Sequence, residues 1–175
     1  PDPWLSDHAD LDRVFVAGDS AGANISHHMA LRAREESEAR VAIKGVALIH
    51  PYFWGSEPVG SESTDPGSRS RVEKMWQFVC RNSTGPDDPW INPMADDAPG
   101  LASLGCQQLL LTVAERDALK HRGKVYYEKI KESGWGGEAE LVETPDSDHV
   151  FHLFNPDTEK AKDMVQLLAD FFNKE

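Results

Sequence analysis

An α/β fold with a mainly parallel sheet flanked by helices is what the sequence predicts. Three observations carry that expectation. Short apolar runs of strand length recur along the chain, helical patterns separate them, and a glycine-bracketed turn hands the first run over to the first helix.

Val14 to Ala17 reads as a short buried strand, and Gly18-Asp19-Ser20-Ala21-Gly22 turns it into a helix from Ala21 to about Arg34. Gly45 to Ile49 is a continuous apolar run of the kind covered on both faces, and His50-Pro51 stops it. Leu109 to Val113 repeats the pattern, and a helix is expected over Leu119 to Ser133. Gly134 to Gly137 breaks that helix ahead of a fourth strand, Ala139 to Glu143. A last helix is expected to open at Asn155-Pro156 and to bury Ala161, Met164, Val165, Leu168 and Phe172 on one face. Between the second and third strands, residues 54–100 are rich in Gly, Pro, Ser and Asp around one amphipathic stretch with Val72, Met75, Trp76 and Val79 at helical spacing. That segment is expected to be either a lid or cap or an ordinary surface excursion whose apolar residues pack on the core, within a single domain spanning residues 1–175.

Bulk properties narrow the function. With 175 residues and 39% hydrophobic content, the chain can form one ordinary core. A formal net charge of −12 would repel nucleic acid and anionic membrane surfaces, which leaves a small molecule as the expected partner. Cys80 and Cys106 form no CxxC pair and suggest neither a zinc knuckle nor a disulfide framework. The chain shows no apolar run long enough for a membrane span and no signal-peptide pattern at Pro1-Asp2-Pro3-Trp4, so a cytoplasmic location is expected.

The chemistry concentrates at G-x-S-x-G, residues 18–22. By chance alone a chain of this length shows that pattern about 5% of the time, and its position between a strand and a helix narrows the odds further. A serine at such a sharp turn is held in a strained backbone and stands exposed to substrate. The first helical N–H groups lack intrahelical acceptors, so the Ala21 N–H can face an oxygen that turns negative during attack, giving half an oxyanion hole. A serine hydroxyl needs a base within hydrogen-bond reach and a third group to orient that base. Asp117 follows the third strand and His149 follows the fourth, giving the order Ser, Asp, His found in α/β-hydrolases. Glu115, Asp146 and Asp148 are rival acids. His27 and His28 lie on the elbow helix and read as packing or solvent-facing residues. His149 and His152 with Asp146 and Asp148 lack the spacing of a zinc site, so no metal is expected. Gly134-Trp135-Gly136-Gly137 lacks the Lys and Ser or Thr of a phosphate loop and reads as a turn.

Several segments together resemble one family, the plant carboxylesterases related to hormone-sensitive lipases, with gibberellin receptors and 2-hydroxyisoflavanone dehydratase as kin. They are Gly18 to Ile25, His50 to Gly55, Asp87-Asp88-Pro89 with Ile91-Asn92-Pro93, Ala114 to Asp117, Ser133-Gly134-Trp135, and His149 to His152. The resemblance implies an α/β-hydrolase that cleaves a small-molecule carboxylic ester through an acyl-enzyme, using Ser20, Asp117 and His149 and no cofactor. Asp19, Phe53, Trp54 and Val150 are the expected substrate-binding residues, with Trp76 a further candidate wall. Members of this family carry an H-G-G loop well before the elbow, and no such sequence occurs here. The chain is therefore expected to be the carboxyl-terminal half of the fold, lacking the amino-terminal strands and partnered by the missing half. The first strand should then have one edge unpaired. Two other functions fit the resemblance: a lyase or cyclase of plant specialised metabolism, and a non-catalytic receptor, against which His149 speaks.

Overall fold

The computed structural model describes residues 2–35 and 42–174. Four strands, β1 (Val14–Asp19), β2 (Ile43–Ile49), β3 (Gln108–Ala114) and β4 (Glu138–Thr144), form one sheet in the order β1-β2-β3-β4, every pair parallel. All four expected strands are present, each two residues longer than its apolar run, because ladder pairing continues beyond the ends of those runs. Among the described residues, β1 pairs with β2 alone and leaves its other edge without a strand, as expected.

Alternation along the strands divides the core in two. Val46 and Leu48 of β2 and Leu109, Leu111 and Val113 of β3 point to one face, where they meet α2 (Ala21–Glu35) and α4 (Lys120–Glu132). Ala47 and Leu110 point to the other face and contact Phe171 of α6 (Glu159–Phe172). Covered on both sides, β2 and β3 can be apolar almost throughout, which is why they read as continuous runs rather than alternating ones.

The last helix differs from expectation at two points. It begins at Glu159 with Thr158 as its cap, whose hydroxyl accepts the Ala161 N–H, while Asn155 closes the preceding short helix α5 (Phe151–Phe154) by donating its N–H to the Phe151 carbonyl. The apolar stripe runs through Ala161, Met164, Leu168 and Phe171, with Phe172 packed edge-on against Phe15. Val165 points to solvent, 60% exposed, because it lies one helical step beyond Met164 and off that stripe. A first short helix, α1 (Pro3–His8), capped by the Asp2 carboxylate on the Trp4 N–H, precedes the sheet.

Residues 54–100 contain α3 (Pro66–Val79), capped by Asp65, followed by turns to Gly100. Trp76 is buried with Trp54, Ile91 and Leu119 in a small second core, against which Val72 packs. Met75 and Val79, at helical spacing with them, are exposed, as is Phe78. An ion cluster ties this segment to α4. Buried Glu62 accepts from Arg122 Nε at 2.7 Å and Nη2 at 3.0 Å, and from Arg69 Nη1 at 3.4 Å. Both guanidinium groups also donate to the Gly55 carbonyl and lie over the Trp54 ring. Cys80 and Cys106 are free thiols, and burial pushes Cys106 up to about 12. No described helix is long and apolar enough to cross a membrane.

Two measurements test this packing. Removing one partner of a buried ion pair strands the other charge, so Arg122→Ala should cost about 3–5 kcal/mol of unfolding free energy in urea titrations. The second concerns His27, which is buried on α2 and bonded through Nδ1 to the Tyr126 hydroxyl at 2.9 Å. Burial first, and the neighbouring His28 second, pull His27 down to about 3. Its neutral form therefore supports folding fully above the unfolded imidazole value of about 6.5, and that support is lost as pH falls from there towards 3, by about 1.4 kcal/mol per pH unit. The unfolding free energy of His27→Gln should fall less steeply between pH 6.5 and 5 than that of the natural chain.

Candidate active site

The carboxyl ends of all four strands converge on one cluster. Each strand delivers one residue of it: Ser20 after β1, His50 after β2, Asp117 after β3 and His149 after β4.

Ser20 sits at the elbow in the left-handed region, with φ of 52°. Its backbone is held on three sides. Its N–H donates to the Ile49 carbonyl at 2.9 Å, and its carbonyl accepts from Asn24 N–H at 3.2 Å and Tyr52 N–H at 3.0 Å. The two flanking glycines play different parts. A methyl at Gly18 would collide with the backbone of Gly22, whereas a methyl at Gly22 would meet open space. Gly18 thus permits the close crossing of strand and helix at the elbow. Ala21, exposed, opens α2 directly behind the serine.

His149 bridges the other two groups. Its Nε2 lies 2.9 Å from Ser20 Oγ and its Nδ1 lies 2.6 Å from Asp117 Oδ2. Asp117 is 6% exposed, and its second oxygen accepts the Leu119 N–H at 2.9 Å, so both carboxylate oxygens have donors. Two of the three rival acids are engaged elsewhere. Glu115 accepts the Asp146 N–H, and Asp146 pairs with Arg116 and Lys160.

Asn24 and His50 belong to this neighbourhood and were not singled out from the sequence. Buried Asn24 donates through Nδ2 to the carbonyls of Trp90 at 2.7 Å and Tyr52 at 3.2 Å, which fastens the elbow helix to the segment after β2. His50, 1% exposed and with φ of 46°, accepts the Val150 N–H on Nδ1 at 2.8 Å. Its own N–H donates to the Thr112 carbonyl at 2.9 Å. Burial pulls His50 down to about 4; the Asp117 charge opposes this, while His149 and His152 add to it. The positions of the strand stops at His50-Pro51 and in the His149 to His152 segment were the available signals, but nothing local connects them.

The other expected substrate-binding residues have the following places. Asp19 ends β1 and is half-buried, and its charge raises the affinity of His152 for a proton against the larger effect of burial. Phe53 is completely buried, its ring 4.9 Å from Tyr126 and 5.6 Å from His27. Trp54 is 3% exposed and lines a cavity of about 350 Å³ with Arg69, Val72, Asp117 and His121. Val150 is buried beside His149 and has φ of 48°. Ligand-type atoms of His50, Asp117 and His149 lie within 4.8 Å of one another. Gathering them onto one cation would require giving up the His149–Asp117 hydrogen bond.

A doubly covered parallel sheet with a strained serine elbow at its carboxyl edge defines the α/β-hydrolase class. The profile of the alpha/beta hydrolase fold family matches residues 2–153, and this chain belongs to that family. It is 52% identical over 173 residues to "Probable carboxylesterase 2" of Arabidopsis thaliana, covering 99% of this chain and 55% of that protein. It is 43% identical over 173 residues to the 2-hydroxyisoflavanone dehydratase of Glycine max, covering 98% of this chain and 54% of that one. Among solved structures, a mutant of the esterase E40 superposes with a TM-score of 0.76 at 21% identity, over 97% of this chain and 56% of that one. The chain thus spans about half the length of the curated relatives it matches.

The asymmetry of the elbow glycines gives a direct test. Gly18→Ala should lower unfolding free energy by about 2–3 kcal/mol through overpacking against Gly22, while Gly22→Ala should change it by less than about 1 kcal/mol. Urea denaturation of the two variants side by side checks this.

Proposed function

We propose that this chain carries the catalytic residues of a serine carboxylesterase acting on a small-molecule ester. The observation that supports it best is the imidazole of His149 within hydrogen-bond reach of both the Ser20 hydroxyl and the Asp117 carboxylate. In this reading the Nδ1–H donates to Asp117, which leaves the Nε2 lone pair to accept the Ser20 proton. Ser20 Oγ then attacks the ester carbonyl carbon, and the carbonyl oxygen becomes negative beside the Ala21 N–H. Collapse expels the alcohol, which takes the proton from Nε2, and leaves Ser20 acylated. Water, activated by His149 in turn, releases the acid and restores the hydroxyl.

Further oxyanion donors would come from the H-G-G loop that the family resemblance places ahead of the elbow. One such donor contributes roughly 3–4 kcal/mol of transition-state stabilisation, so the residues present here should hydrolyse esters feebly unless that loop is supplied. Residues 54–100 act as a lid in this reading. They are held to α4 by the Glu62 cluster and by a small core that they share with Leu119.

A second reading has a specific observation behind it. The 43% identity to a protein named as a dehydratase supports a lyase that uses the same cluster for proton abstraction and elimination of water, with Ser20 as a positioning hydroxyl rather than a nucleophile.

In a protein extended to include the H-G-G loop, Ser20→Ala and His149→Ala should each lower kcat for a short-chain ester by at least about 10³-fold. Asp117→Asn should lower it by a similar factor while leaving the fold intact. A fluorophosphonate should label Ser20 in the natural chain. Full ester turnover by Ser20→Ala would end the esterase reading, and retained water elimination by the same variant would select the lyase.

A further inference from the structure

His50 is the one member of the four-strand cluster that the proposed chemistry does not use. It is buried, and its Nε2 has no hydrogen-bond partner among the described residues. Packing alone does not account for an imidazole there. A phenylalanine or leucine would fill comparable space without leaving a buried ring nitrogen unpartnered, a state that costs stability. What the imidazole supplies is an acceptor, Nδ1, for the N–H of Val150.

That N–H belongs to a residue whose backbone is strained. Val150 is β-branched and sits in the left-handed region, where a branched side chain crowds its own backbone. Such a conformation persists only when its surroundings impose it. It also directly follows His149, so it sets the direction in which the loop from β4 presents the imidazole. The His149 side chain is 33% exposed and is not fixed by packing on all sides. Its placement between Ser20 and Asp117 therefore depends on the backbone that carries it.

We propose that His50 is a positioning residue: by accepting the Val150 N–H it holds the backbone after His149 in the left-handed turn that delivers the imidazole to Ser20. This inference rests on the reading of Ser20, His149 and Asp117 given above. It links the end of β2 to the loop after β4 across β3, with the His50 and His149 rings 5.9 Å apart. Burial favours the neutral form of His50, which keeps the Nδ1 lone pair available as an acceptor. A neutral ring that accepts on Nδ1 carries its proton on Nε2, so the unpartnered buried nitrogen is the cost of placing an acceptor there.

The test uses the protein extended to include the H-G-G loop, with kcat for a short-chain ester counted per active site titrated by a fluorophosphonate. His149→Ala comes first and should abolish turnover. His50→Asn places an amide oxygen near the position of Nδ1 and should keep kcat within about 3-fold. His50→Gln places its amide near Nε2 instead, and His50→Leu offers no acceptor. Both should lower kcat roughly 10–100-fold with KM within about 2-fold, the scale expected when a reacting group is displaced by about an ångström. The low-field proton resonance of the His149–Asp117 hydrogen bond should stay sharp in His50→Asn and broaden in His50→Gln. Should His50→Leu fail to fold, the Asn and Gln variants carry the comparison by both readouts. Natural kcat and a sharp resonance in His50→Gln would overturn the inference while leaving the triad reading intact. Turnover surviving His149→Ala would overturn both.

Discussion

The site depends on one constraint, the common direction of four strands. Because every pair is parallel and the strands are added in chain order, their carboxyl ends finish along a single edge. Residues 20, 50, 117 and 149, distant along the chain, each lie within about five residues of a strand end and so meet in one cluster. An antiparallel sheet with the same side chains would send alternate residues to opposite edges. Backbone ladders thus provide the first level of placement, and the Ser20 backbone, donating to the Ile49 carbonyl and accepting from the Asn24 and Tyr52 N–H groups, provides the second.

Much of this was legible in the sequence, and the boundary of legibility has a physical basis. Strands buried on both faces announce themselves as unbroken apolar runs, and the elbow has a spacing that few other turns require. Asp117 was separable from Glu115, Asp146 and Asp148 only by its place in the Ser, Asp, His order and by resemblance. In the structure the difference is burial and a Leu119 N–H on its free oxygen, both of which arise from tertiary packing. His50 and Asn24 could not be found locally, since each acts on groups 28 to 100 residues away through bonds fixed by register. The start of α6 was misplaced because Asn155-Pro156 has the chemistry of a helix opening, yet it closes α5, and Thr158 takes the cap. Met75 and Val79 share a period with Trp76 but not its burial, because periodicity locates a helix more surely than the arc it hides.

The segment between β2 and β3 shows how an insertion can be ordered without joining the main core. Glu62 is shared by two arginines, which satisfies its carboxylate, and Glu73, 4.0 Å from Arg69, balances the second positive charge. Both guanidinium groups rest over Trp54 and donate to the Gly55 carbonyl, so the chain leaving β2 is clamped before it turns outward. The cavity beside Asp117 is bounded on one side by this clamp and on the other by the turn after β3.

Among the described residues four other than glycine have positive φ: Ser20, His50 and Asp146 lie one or two residues past the end of a strand, and Val150 stands immediately before α5. Glycine would relieve the backbone at all four. A selection for heat resistance alone would therefore tend to erase these side chains, Ser20 and His50 among them. Thermal hardening of this scaffold should be directed away from the strand termini, toward the outward faces of the helices.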